Sequence, residues 1–520
     1  MIAKYLNNRV ITLVLIPFLI GSLSVLSFQP FNFTFINFFV LPLFLYFIVY
    51  INKKSKGVYR KKPYKKNLFI FGTFFGFGFY LSGIHWITNS LTFDESFKFL
   101  IPFSLILVPL FLSLFFSIVV LILGPYLSLN LNSILLFSAG LALSDFLRAK
   151  IMTGFPWNLW AYSFSWATEI IQILEIVGLF AFNLISITIF MIPALFLTNI
   201  KLIKKLIYFF SIIVIFSLFY IYGNYSLNHN KQKLESIDKK FNIKAISPNF
   251  KLEYGLTIDD LETRLEKLIR YSDPSKNLRT LFVWPEGVFS GYSFTEIQNL
   301  KKIFVKNFNV NHFILFGTNR FDDKKKGFYN SLIIVNNRME IIQEYRKQKL
   351  VPFGEFLPLE KFLGKFGLKK ITEGYGSFLK ADKQKNVILD ELNILPLICY
   401  EIIFTEFIQS SDKNTNLIIN ISEDGWFGNS IGPHQHFVKG IYRAIENNSF
   451  LIRSANKGIS AIINNKGEII NKLSPNEAGN IELEVPLIIS ENKNKNDLIF
   501  FVLLITYIFI FKFIKNEEGK

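Results

Sequence analysis

The 520-residue chain contains a single cysteine, Cys399, so it cannot close an intrachain disulfide and is not a disulfide-stapled scaffold. The thiol is therefore either a small apolar filler or a nucleophile. Histidine is scarce too, with five in all, and no third ligand at metal-site spacing joins His434 and His436. No metal and no cofactor are expected. Acidic residues are outnumbered, 39 against 57 Lys and Arg, which leaves a net charge of +18. In a soluble protein that excess would point to nucleic acid, but where the charges lie gives them another use.

Hydrophobic residues make up 51% of the chain and the mean hydropathy is +0.34, too apolar for an ordinary soluble protein of this length. A spanning helix needs roughly 20 apolar residues. Runs of that kind lie at about 10–28, 31–51, 68–87, 100–124, 131–147, 171–197, 206–223 and 497–514. The first is expected to stay as an anchor, because it is long for a signal peptide and a second run follows at once. Alternating the spans puts Lys4, Arg9, the basic loop from Lys53 through Arg60, Lys61 and Lys62 to Lys66, then Lys201, Lys204, Lys205, Lys515 and Lys520 on one face. The short loops opposite carry Lys98, Arg148 and Lys150. By the positive-inside rule the first face is cytoplasmic, so the large polar segment between the last two spans faces outward.

From about residue 230 short apolar runs alternate with amphipathic stretches. Strands are expected at 242–247, 280–286, 312–317, 331–335, 394–400, 416–422, 450–455 and 460–464, and helices at 257–272 and 434–448. Nearly continuous apolar strands are buried on both faces, so a layered α/β domain is expected.

Three strand ends carry polar groups. "VWPEGVFSGY" holds Glu286, "YRKQKLVPFGEFLP" holds Lys347 and Glu355, and "LICYE" holds Cys399, Tyr400 and Glu401. A free thiol is only a few per cent thiolate at neutral pH. A carboxylate can take its proton, and an ammonium favours both the thiolate and the oxyanion of an attacked carbonyl. Taken singly, Cys399 reads as core, Glu286 as a turn residue and Lys347 as one more cation. Strand alternation also sets Tyr345, Lys347 and Lys349 on one face, so spacing does not choose between the two lysines.

At these residues the chain resembles the nitrilase (carbon–nitrogen hydrolase) superfamily, whose sites use Glu, Lys and Cys in that order. Within it, the chain is similar to the membrane-embedded apolipoprotein N-acyltransferases of bacteria. The likeness rests on "WPEG", "YRKQKLVPFGEFLPLE", "LICYE", "NISEDGWFGNSIGPHQHF", "YRAIENNSFLIRSANKGISAII" and "NKGEII". In the apolar part it rests on "LSFQPFNF", "GFGFYLSGIHWI" and "ALSDFLRAKIMTGFPWNLWAYSF". It implies a multi-pass α-helical membrane domain of about eight transmembrane helices plus an α/β nitrilase-like αββα sandwich. The expected domains are 1–225 (seven helices), 230–490 (periplasmic and catalytic) and 497–514 (a C-terminal helix), in a bacterial inner (cytoplasmic) membrane.

Matching the motifs makes Glu286 the general base and acid, Cys399 the nucleophile and Lys347, eight residues before the Glu of "PFGE", the stabiliser of thiolate and oxyanion. Glu355, Tyr400 and Glu401 fill supporting places. The two glutamates are expected to hold Lys347, and Tyr400 to shape the mouth of the site or touch the lipid. The implied partners are a phospholipid acyl donor, a diacylglyceryl apolipoprotein acceptor and the membrane, with no nucleic acid and the chain acting as a monomer. The implied reaction is ping-pong acyl transfer through a thioester.

Two departures stand out. The family's Gln-Gly-Asn segment is here "ISPNFKLEYGL", with Ser247 and Pro248, and its "NDAWFG" is "EDGWFG", with Glu423 first. The triad alone also permits a membrane-bound amidase that uses water. A lipid-binding or transport protein is the third reading, and the scarcity of charge within the spans, little beyond Asp145 and Glu175, weighs against it.

Overall fold

The computed structural model describes residues 8–58, 64–198, 201–253, 255–363, 365, 370, 376–488 and 497–513. Of the charges used for orientation, Lys4, Arg60, Lys61, Lys62, Lys515 and Lys520 lie outside these. The chain divides into two compact units, one formed by residues up to Tyr225 with the C-terminal helix, the other beginning at Ser226.

The first unit is helical. Among the described residues six helices are long and apolar enough to cross a membrane: α2 (Thr34–Lys54), α3 (Tyr64–Thr92), α4 (Glu95–Tyr126), α5 (Leu131–Lys150), α6 (Leu179–Leu197) and α7 (Leu202–Glu235). Two shorter apolar helices, α1 (Ile11–Ser27) and α11 (Leu498–Phe513), accompany them. The expected eight thus become six full-length helices and two short ones. The run expected at 171–197 is broken at Gly178, whose φ of +76° suits a residue without Cβ, and the long helix begins only at Leu179. Glycine also sets the packing of α1 on α3: a Cβ on Gly21 would lie 2.1 Å from the Phe75 carbonyl oxygen, and one on Gly78 2.2 Å from that of Phe18. Trp86, Trp157 and Trp160 are buried within the unit. Trp86 packs on Trp157 at 4.8 Å and Trp160 on Phe79 at 5.2 Å.

The second unit holds two six-stranded sheets. The first has the order β12-β1-β2-β3-β4-β5, with β1 (Lys240–Ser247), β2 (Thr280–Val283), β3 (His312–Asp322), β4 (Gly327–Val335), β5 (Ile341–Arg346) and β12 (Gly479–Pro486). The second has the order β11-β10-β9-β8-β7-β6, with β6 (Val387–Leu389), β7 (Leu392–Ile398), β8 (Leu417–Glu423), β9 (Phe450–Asn456), β10 (Ser460–Ile463) and β11 (Ile469–Leu473). In each sheet three central strands run parallel (β1-β2-β3 and β7-β8-β9) and antiparallel strands flank them.

One face of each sheet meets the other in a core that includes Ile243, Leu281, Leu315 and Leu332 from the first and Ile394, Ile419 and Ile452 from the second. The outer face of the first sheet is covered by α8 (Ile258–Ser272) and α9 (Lys301–Asn307). Leu261, Leu265 and Leu268 recur at helical spacing and bury against Phe282 and Ile314. A reciprocal cap starts α8: Thr257 N donates to Asp260 at 2.8 Å and Asp260 N to the Thr257 hydroxyl, a motif worth about 1 kcal/mol. On the second sheet α10 (Gly432–Asn447) packs against β9 and β10. This is a nitrilase-like α/β layered domain, with four strands (β5, β6, β11, β12) beyond the apolar runs listed for it above.

Candidate active site

The polar strand ends come together. Glu286 follows β2, Lys347 is the residue after β5, and Cys399 is the residue after β7. Lys347 is buried, its ammonium 2.9 Å from Glu355 Oε1 and 3.6 Å from Glu286 Oε1. Lys349 instead points outward to Glu406 at 2.9 Å and sits over the Phe404 ring. The alternation that left the two lysines equivalent stops at Arg346. Lys347 N still bonds to the Asn330 carbonyl at 2.8 Å, but the amides of Gln348 and Lys349 turn to the Glu401 carboxylate, at 2.7 and 3.1 Å.

Burial alone would depress the Lys347 ammonium, and the charges of Glu355 and Glu286 outweigh it, so its pKa is raised well above the ordinary lysine value. The cation is permanent. Asn330, which the sequence motifs do not mark, donates from its amide to both Glu286 Oε1 and Glu355 Oε1 at 2.8 Å each, spacing the two carboxylates around the lysine. Glu286 is also held through Oε2 by the backbone N–H of Glu423, at 3.2 Å. Gly317 makes room for it, since a Cβ there would lie 3.0 Å from Glu286 Cα.

Cys399 is partly buried and adopts φ +50°, a left-handed turn unusual for a residue with a side chain. Burial raises its thiol pKa and the Glu286 charge adds to this, while Lys347 pulls it back. The thiol thus feels a carboxylate that favours its protonated form and a cation that favours its thiolate.

The supporting residues divide. Glu355 holds Lys347 as expected. Glu401 acts on Lys347 through its charge, while its carboxylate accepts from Ile398 N at 2.9 Å, Tyr345 OH at 3.0 Å and the two amides after Lys347. It latches the lysine turn to the end of β7, and burial raises its pKa to about 7. Tyr400 is half-buried, its ring edge-on to Phe404 at 5.1 Å.

Glu423, one of the departures, is buried between Asn456 Nδ2 and Gly425 N, both at 2.8 Å, and burial raises its pKa to about 8. Asn456 in turn accepts from Phe250 N at 2.7 Å, tying this carboxylate to the segment with the other departure. Among the described residues no group of three or more His, Cys, Asp or Glu is arranged to hold a metal. A carboxylate near a thiol on a strained turn can take its proton and later return it to a leaving group, and the cation fixed between two carboxylates can stabilise a tetrahedral oxyanion.

Comparison with known proteins agrees over most of the length. Residues 255–489 match the family model described as Carbon-nitrogen hydrolase, and residues 20–192 match that of the Apolipoprotein N-acyltransferase N-terminal domain. The Apolipoprotein N-acyltransferase of Rickettsia typhi is 33% identical over 512 residues, covering 95% of this chain and 98% of that protein. That of Rhizobium etli is 30% identical over 487 residues, covering 89% and 88%. Among solved structures, the nitrilase-superfamily protein Nit3 of Saccharomyces cerevisiae aligns with 54% of this chain and 98% of its own at 15% identity and a TM-score of 0.36, too low to bear on the fold.

Proposed function

Because the chain belongs to the apolipoprotein N-acyltransferase family, we propose that it moves an acyl chain from the sn-1 position of a phospholipid, through a Cys399 thioester, to the α-amine of the N-terminal S-diacylglyceryl-cysteine of apolipoproteins. The observation that carries this reading is the buried Lys347 ammonium shared between Glu355 and Glu286 at the strand ends where Cys399 also lies.

Glu286 takes the thiol proton as the sulfur attacks the ester carbonyl, and the resulting oxyanion is stabilised beside Lys347. Collapse breaks the ester C–O bond, and Glu286 returns the proton to the departing lysophospholipid alkoxide. The acceptor amine then attacks the thioester and gives its proton to Glu286. The amide forms and the Cys399 thiolate is released. Glu355 holds Lys347 throughout, and Tyr400 lies beside the nucleophile, where it contacts the lipid or shapes its access. The apolar helices anchor a monomer in the inner membrane with the catalytic unit in the periplasm, where both lipid substrates lie in the adjoining leaflet.

The test is intact-mass spectrometry of the full chain in detergent with phospholipid and no acceptor. One added acyl chain on Cys399, removed by hydroxylamine and absent in Cys399→Ala, is expected. A folded but unmodified protein would exclude phospholipid as donor and favour an amidase that uses water.

A further inference from the structure

Behind Cys399 lies a buried polar assembly with no part in the steps above. Arg453 on β9 is fully buried, as are Asn420 and Ser422 on β8, Asp424 just past it, and His436 on α10. The Arg453 guanidinium forks. Nη2 reaches Asp424 Oδ2 at 2.7 Å and Oδ1 at 3.0 Å, Nη1 donates to Asn420 Oδ1, and Nε donates to the Ile459 carbonyl at 3.1 Å.

The arm through Asn420 leads to Cys399. With its oxygen held by Arg453, the Asn420 amide donates to the Leu397 carbonyl at 3.0 Å and to the Cys399 carbonyl at 3.5 Å, so it bridges the strained turn. On the other arm, Asp424 accepts from the Ser422 hydroxyl at 2.7 Å, fixing the residue that follows Ile421, the partner of Ile398 in the β7–β8 register. His436 Nδ1 lies 3.0 Å from the same Asp424 oxygen. A left-handed conformation at a non-glycine residue costs of order 1–3 kcal/mol and persists only where its surroundings over-determine it. Here Asn420, anchored on the guanidinium, supplies that constraint.

We propose that Arg453 is a positioning residue for the nucleophile: by holding Asn420 it fixes the backbone turn at Cys399. The inference rests on Cys399 being the nucleophile. A lysine at 453 keeps a positive charge opposite Asp424 but lacks the planar fork needed to hold Asn420 as well, so Arg453→Lys separates positioning from charge neutralisation.

The experiment measures single-turnover acylation of Cys399 by phospholipid in the full-length enzyme. Arg453→Lys, Asn420→Ala and the double variant are compared across donor concentrations, with circular dichroism and melting temperature as checks of folding. Misplacement on the ångström scale costs up to about 100-fold in rate. The maximal rate is therefore expected to fall about 10- to 100-fold in each single variant, with the half-saturating donor concentration unchanged. The double variant should be no slower than the slower single, because both act through one contact.

Folded variants acylating at the wild-type rate overturn the proposal, as do losses that multiply in the double variant or appear only in half-saturation. If neither single variant folds, the assembly serves the fold rather than the nucleophile, and the proposal falls. A wild-type enzyme that acquires no acyl group at Cys399 is a different failure, one that removes the nucleophile and this inference with it.

Discussion

Glu355→Gln should weaken the reaction without weakening donor binding. In the wild type the Lys347 ammonium lies 2.9 Å from Glu355 and 3.6 Å from Glu286. At an effective dielectric constant of about 20 these pairs are worth about 6 and about 5 kcal/mol, so the cation is nearly evenly shared. Glutamine removes one charge at almost the same volume, and the ammonium then has Glu286 as its main counter-ion. Closing that gap to an ordinary contact tightens the pair by about 1 kcal/mol, holding back the carboxylate proposed to accept the thiol proton. Acylation should slow about fivefold.

A second cost is structural. Glu355 Oε2 accepts from Val351 N at 2.8 Å, and a glutamine that keeps its oxygen toward Lys347 turns its NH₂ to that donor. The orphaned N–H costs about 1–3 kcal/mol and should lower the melting temperature by several degrees. Single-turnover acylation followed by intact mass measures the first effect, and thermal unfolding followed by circular dichroism the second. An acylation rate within twofold of wild type, in a variant that does lose stability, would refute the idea that Glu355 divides the charge of Lys347.

Two further outcomes follow from the electrostatics. Because the Glu286 charge raises the Cys399 thiol and the Lys347 charge lowers it, Glu286→Gln should move the midpoint of iodoacetamide alkylation to lower pH and Lys347→Met to higher pH. Shifts in the same direction would place neither charge beside the sulfur. Glu423 is raised from the ordinary carboxylate range to about 8, so the folded state favours its protonated form. Its contribution to stability is full at pH values below that ordinary range and is lost as pH rises through about 8. The wild-type melting temperature should therefore fall between about pH 5 and 8, and less steeply in Glu423→Gln. Parallel curves would mean that the carboxylate is already ionised across that range.

Much of this was legible locally. Long apolar runs mark membrane-spanning helices because a bilayer demands them within one contiguous segment. The strand ends at Glu286 and Cys399 are marked by apolar runs stopping at a polar residue, and the order Glu, Lys, Cys carries the likeness to a known family.

Other features had no local signal. Strand β11 is exposed along most of its length and β5 is mixed, so neither shows an apolar run. The break at Gly178 hides within an apolar stretch because hydropathy is blind to backbone dihedrals. Alternation could not separate Lys347 from Lys349, since it holds only while a strand continues, and the turn is made by Glu401, more than fifty residues along the chain. Asn330, Asn420 and Arg453 read as ordinary polar residues within strands.

The sequence by itself determined the apolar helices and the layered α/β domain, because periodicity is written into consecutive residues, and its likeness to a known family singled out Glu286, Lys347 and Cys399. Only the tertiary structure showed how Lys347 is buried against its carboxylates and what holds Cys399 in its turn. Those groups lie far apart in sequence and meet only when two sheets pack face to face and bring their strand ends together.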